Sequence, residues 1–141
     1  MFRTAIVLAS SLLAITSANA ASAASETGQC RSASQGLVVD ASNGVKIRVH
    51  TVGAGKPVVL IPSLGRSVTD FDELAGRLVA DGFMTILPEP RGINGSTGPA
   101  PQTLFDLSGD VAAVVGTLCA GKVDVVGHAF GNRVARAFAT A

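Results

Sequence analysis

The sequence predicts an α/β fold: a doubly wound, mostly parallel sheet with flanking helices. Three observations carry this expectation. Val58-Val59-Leu60-Ile61 is an unbroken apolar run bounded by Pro57 and Pro62, as a strand buried on both faces reads. Two more short apolar runs follow, Met84–Leu87 and Val123–Val126. Between and after these runs lie segments with helical spacing, and such alternation implies right-handed crossovers between parallel strands.

Taken in order, Leu37–Asp40 reads as a short strand and Ser42-Asn43-Gly44 as a turn, Asn-Gly being a strong hairpin signal. Val45–His50 alternates apolar and polar residues, the pattern of a half-buried strand. Gly53–Pro57 is the next turn, and Val58–Ile61 the first central strand. A helix is expected from Asp70 to Ala80, with Phe71, Leu74, Leu78 and Val79 at helical spacing and Asp81-Gly82 closing it. Met84–Leu87 is a strand, and the Pro/Gly-rich stretch 88–101 a loop. Thr103 with Asp106 three residues on resembles a capping box. The helix behind it carries Leu104, Leu107, Val111, Val114, Val115 and Leu118 on one face and ends by Gly121. Val123–Val126 reads as a third buried strand, and the chain turns helical again from Phe130. No internal repeat is visible.

Composition narrows the setting. Of 141 residues 48% are hydrophobic, which suits a packed core, and the formal net charge is +1, zero if Arg3 is lost. There is no basic stripe and few aromatic residues, so no nucleic-acid partner is expected. Residues 1–20 read as a signal peptide: Arg3, then the apolar stretch Ala5–Ile15, then Ala18-Asn19-Ala20 as a small-residue cleavage pattern. That stretch is shorter than the roughly 20 residues a membrane span needs. We therefore expect no stable membrane insertion after leader removal, and a secreted or periplasmic protein. Residues 21–36 form a flexible lead-in, and 37–141 the domain. Cys30 and Cys119 leave two readings open. Export permits a disulfide, while a buried Cys119 with a loose Cys30 fits equally. Their spacing resembles no metal site, and no metal or cofactor is expected.

The most informative segment is Gly127-His128-Ala129-Phe130-Gly131. A strand that runs through Gly-x-x-x-Gly straight into a helix makes a nucleophile elbow. Its central residue sits in a strained turn, so the flanking positions must lack side-chain bulk, which Gly127 and Gly131 do. The segment Val125–Ala135 resembles the elbow strand and helix of the α/β-hydrolase family. Two other segments resemble that family in the expected order. Leu60-Ile61-Pro62-Ser63-Leu64-Gly65 is similar to its oxyanion loop, and Glu89-Pro90-Arg91-Gly92-Ile93-Asn94-Gly95-Ser96 to its Asp-x-Arg-Gly-x-Gly-x-Ser loop. The resemblance spans residues 37–141 and implies small ester-like substrates.

The departures bear on mechanism. Ala129 stands at the family's serine position, and a methyl group cannot form an acyl intermediate. The N–H groups of Leu64 and Phe130 would still face an oxyanion. His128, beside the empty position, is a candidate proton carrier or a residue that packs the turn. Ser63 is a candidate nucleophile without a visible base, or a serine bonded to backbone. Arg66 is either a carboxylate or phosphate ligand or a solvated cap. Arg91 is expected to anchor its loop on carbonyls, Arg133 and Arg136 to be solvated, and His50 to lie at the surface of an outer strand. Asn94, where the family has a glycine, tolerates left-handed backbone angles. The family's acid and histidine would follow Ala141, and its next strands would cover Val123–Val126, otherwise a bare apolar edge. The sequence therefore reads as the N-terminal part of a longer domain, a truncated fragment. Gly53-Ala54-Gly55-Lys56 lacks P-loop spacing, Gly92–Gly95 does not lead directly into a helix, and the Asn94-Gly95-Ser96 sequon reads as chance. Two functions remain open: a hydrolase without the usual serine, or a non-catalytic protein that binds a small molecule or a partner on the same fold.

Overall fold

The computed structural model describes Cys30, residues 36–119 and residues 121–141. The expected leader lies outside these residues, as does the lead-in apart from Cys30 and Gly36.

β1 (Leu37–Asp40) and β2 (Lys46–Gly53) form the expected antiparallel hairpin, with Val39 opposite Ile47. Asn43 turns between them at φ +59, a left-handed conformation that Asn accepts more readily than most residues. β3 (Lys56–Ile61) runs parallel to β4 (Phe83–Pro88) on one side and to β5 (Asp124–Gly127) on the other. β2 pairs antiparallel with β4, giving the order β1-β2-β4-β3-β5. His50 therefore lies on an inner strand of the sheet, not an outer one, and its side chain is 40% exposed.

The central run splits according to the pleat. Val59 and Ile61 pack with Val111, Val114 and Leu118 on one face, and Val58 and Leu60 pack with Phe71 and Ala75 on the other. Each face has its own helical cover, which is why the run shows no alternation. α2 (Leu104–Leu118) and α3 (Phe130–Thr140) cover the first face, and α1 (Asp72–Ala80) the second. Two helical layers around a sheet with a parallel centre make the doubly wound architecture the alternation predicts.

Helix ends account for the small shifts in boundary. Before α1 the chain makes a 3-10 turn, Val68–Phe71, whose Ser67 cap accepts the Thr69 N–H at 3.2 Å. That turn delays the helix from Asp70 to Asp72. Leu74, expected on the apolar face, is 38% exposed, and Ala75 is buried in its place. α2 opens on a complete capping box: Thr103 Oγ1 accepts the Asp106 N–H at 3.2 Å, and Asp106 Oδ2 accepts the Thr103 N–H at 2.8 Å. α2 stops at Leu118, because Cys119 turns extended and pairs with Cys30. The two cysteines form a disulfide across 89 positions of chain, which resolves the open pairing.

β5 is not the buried strand its apolar run suggests but the bare apolar edge expected where no further strand pairs with it. Its residues alternate between exposed and half-buried, with Val126 41% exposed. Among the described residues only β3 pairs with it, so its outer edge has no strand to cover it.

Candidate functional site

The elbow forms as its sequence requires. β5 ends at Gly127, α3 starts at Phe130, and Ala129 between them takes φ +48, ψ −111. This is a region L-residues avoid, and it costs on the order of 1–3 kcal/mol unless its surroundings impose it. The surroundings are backbone. A Cβ on Gly127 would meet the Gly131 carbonyl oxygen at 2.3 Å, and one on Gly131 would meet the Ile61 oxygen at 2.3 Å. The His128 N–H donates to Ile61 O at 3.0 Å, tying the turn to the end of β3. The two glycines let strand, turn and helix touch, and the contact holds Ala129 exposed above the sheet edge.

The loop after β3 supplies the facing wall. Ser63–Arg66 is a turn closed by the Arg66 N–H donating to Ser63 O at 3.1 Å. Gly65 sits at its third position with φ +71, as a type II turn requires. Leu64 therefore stands at the tip. Phe130 is the first residue of α3, so its N–H has no acceptor within the helix. Ser63, Leu64 and Phe130 line one cavity of about 230 Å³, together with Arg91, Ile93 and Leu107. Motifs far apart in the sequence thus meet in space.

Glu89 holds this loop in place. Its side chain is buried, with Oε2 accepting the Val68 N–H at 3.2 Å and Oε1 accepting Ser67 Oγ at 3.0 Å and Asn94 Nδ2 at 2.9 Å. Asn94 also donates to Ser67 Oγ at 2.9 Å. Its φ of +42 is the left-handed backbone expected where the family has a glycine. Ser96 Oγ donates to Glu89 O and accepts the Arg48 N–H, both at 2.9 Å, which fixes the other end of the loop to β2. Sequence reasoning gave Glu89 no role; the signal was its place at the head of the Glu-x-Arg-Gly segment.

Arg91 is anchored more strongly than expected. It donates to Pro99 O at 3.0 Å and Asp106 O at 3.3 Å, and it makes a bidentate pair with Asp110 at 2.7 and 2.9 Å. The Asp110 carboxylate raises the Arg91 guanidinium above its ordinary range, against the effect of burial. Arg66 has a partner on its own chain, Asp70, at 2.6 and 2.8 Å, so it is neither a free ligand group nor only solvated. The hydrogen bond from Arg66 holds the Asp70 carboxyl below its ordinary range, with a smaller contribution from His128. His128 is exposed beside Ala129, and its N–H ties the turn to Ile61. Arg133 and Arg136 lie exposed on α3. Among the described residues no three His, Cys, Asp or Glu side chains gather as a metal-binding set, and no helix is long and apolar enough to cross a membrane.

Known proteins share this fold, although no family model matches the chain. A soluble epoxide hydrolase of Corynebacterium sp. (strain C12) is 35% identical over 100 residues, covering 69% of this chain and 34% of that protein. An esterase from Exiguobacterium antarcticum superposes with a TM-score of 0.68 at 26% identity, over 74% of this chain and 40% of that one. A thermophilic esterase from Thermogutta terrifontis gives 0.66 at 26%, over 76% and 41%. An epoxide hydrolase from an endophytic Streptomyces gives 0.65 at 26%, over 74% and 32%. The chain spans about a third of the length of the curated relative it matches.

Proposed function

Because the chain belongs to the α/β-hydrolase fold family, we propose that it holds small ester-like ligands in the elbow cavity and forms no covalent intermediate at position 129. The ligand's carbonyl oxygen would face the N–H groups of Leu64 and Phe130, which stabilise developing or partial negative charge there. The relatives are esterases and epoxide hydrolases, and both reactions open a C–O bond beside a polar oxygen. The observation that carries the reading is Ala129 itself. It occupies the strained, exposed position that the two glycines and Ile61 build, with a methyl group that can donate no electron pair.

A second reading keeps catalysis. Ser63 lines the same cavity as Phe130, and His128 is exposed beside the elbow. In that reading Ser63 Oγ attacks the carbonyl carbon, His128 accepts its proton and passes it to the alcohol that leaves as the ester C–O bond breaks, and water then releases the acid from Ser63. The disulfide supports the export that the leader implies. The exposed β5 edge supports a reading in which further strands complete the sheet, this chain being the N-terminal part of that domain.

A panel of chromogenic esters, with binding followed at the Leu64 and Phe130 amides by NMR, separates the two functions. The binding reading predicts saturable shifts of both amides and no turnover. Turnover that survives in Ala129→Gly and is lost in Ser63→Ala would replace it with the Ser63 mechanism.

A further inference from the structure

A second cavity lies on the α1 side of the sheet and shares no lining residue with the elbow cavity. It measures about 560 Å³, within the range of roughly 300–1,000 Å³ common to small-ligand sites. Val52, Val68, Ala75 and Leu87 wall it, and Glu89 and His50 stand at one end.

The charge at that end is unbalanced. Glu89 is 2% exposed, and among the described residues the only potentially cationic side chain in ion-pair contact with its carboxylate is His50, whose Nε2 is 3.9 Å from Oε1. That distance is too long for a direct hydrogen bond. The three bonds from Ser67, Val68 and Asn94 leave one of the roughly four acceptor positions of the carboxylate open. Neutral donors lessen the cost of a buried carboxylate but do not neutralise it, and a paired cation would. Arg48, whose carbonyl accepts the Glu89 N–H at 2.9 Å, also lines the cavity; its guanidinium lies against Gly36 and Gly95, its buried Nε has no hydrogen-bond partner, and among the described residues it makes no ion pair, so it does not neutralise Glu89 directly. Asp72 adds a second carboxylate at the exposed rim.

We propose that this cavity binds a small primary alkylamine as its ammonium ion. The head donates to the open acceptor position of the Glu89 carboxylate, on Oε2, and to His50 Nε2, and the alkyl chain lies along Val52, Val68, Ala75 and Leu87. This reading is independent of any activity at the elbow.

The test is an NMR titration of the intact protein with n-butylammonium chloride, alongside n-butanol and sodium butanoate. Saturable shifts at Val52, Ala75 and Gly76 are expected with the amine. The alcohol should bind about tenfold more weakly, the size of one lost charge-assisted hydrogen bond, and butanoate should not bind. Gly76 lines the cavity from α1, and a Cβ there would meet nothing within 4 Å. Gly76→Leu therefore fills the space while improving helix propensity, and it should abolish the shifts at unchanged stability. Glu89→Gln, if it folds, should weaken amine binding about tenfold; if it does not fold, Gly76→Leu decides. The absence of a saturable shift, equal binding of butanoate, or amine binding unchanged by Gly76→Leu would each overturn the proposal.

Discussion

At the scale of single residues, the elbow rests on three positions with opposite demands. Gly127 and Gly131 need the absence of a side chain, because backbone atoms lie 2.3 Å from where each Cβ would stand. Neither obstruction is a flexible side-chain tip, so the chain itself must shift. Gly131→Ala is expected to cost about 3 kcal/mol or more, measured as a fall in the urea midpoint at constant slope. Ala129 has the reverse requirement. Its φ of +48 strains any L-residue, so Ala129→Gly should leave stability unchanged or raise it by up to about 1 kcal/mol. A loss of stability in that variant would mean that the methyl group is packing rather than strained. The empty nucleophile position was plain from the sequence, because the glycine spacing names it. The Glu89 network was not, because Ser67 and Asn94 reach it from loops 22 and 5 residues away, and side-chain bonds between loops leave no periodic trace.

At the scale of elements, the segments that lead into α1 and α2 carry the electrostatic devices. The backbone N–H groups of Thr103 and Gln102 hold Asp106 below the ordinary carboxylate range, and Arg66 does the same for Asp70. A carboxyl that is more acidic when folded adds stability above its unfolded pKa and loses it as pH falls through the folded one. Stability should therefore decline below about pH 4, and Asp106→Asn, which keeps an acceptor but does not titrate, should flatten that decline. An identical acid profile in wild type and Asp106→Asn would remove the capping box as a cause. The Arg91–Asp110 pair is nearly buried on both sides, at 10% and 9% exposed. Arg91→Met leaves Asp110 without its cation and should cost about 3–5 kcal/mol, read from thermal unfolding. The capping box was legible because its residues are three apart. The anchoring of Arg91 on carbonyls was legible, but its ion pair was not, since Arg91 and Asp110 lie on different elements, 19 positions apart.

At the scale of the whole molecule, the order of strands and helices was legible because buried strands and amphipathic helices differ in period. What the pattern missed is the exposure of β5. Val125 and Val126 are as apolar as a central strand, yet they have only β3 beside them among the described residues. Hydrophobicity records what a strand is suited to pair with, not what covers it. The disulfide closes a loop of 89 positions, from Cys30 to Cys119. Reducing it should lower stability by about 2–5 kcal/mol, measured as the difference in urea midpoint with and without reductant. A midpoint indifferent to reductant would show that the link to Cys30 adds nothing to the domain.

The central claim is that the site is assembled around a position that cannot act as a nucleophile. Its most direct test is intact-mass detection of covalent labelling by a fluorophosphonate probe for nucleophilic serines, on the wild-type protein and on Ala129→Ser. We predict no adduct on any serine of the wild type, and that whatever adduct the variant takes up maps by peptide sequencing to position 129, since a serine there still needs a general base to react. An adduct on the wild-type protein, at Ser63 or any other serine, would contradict it.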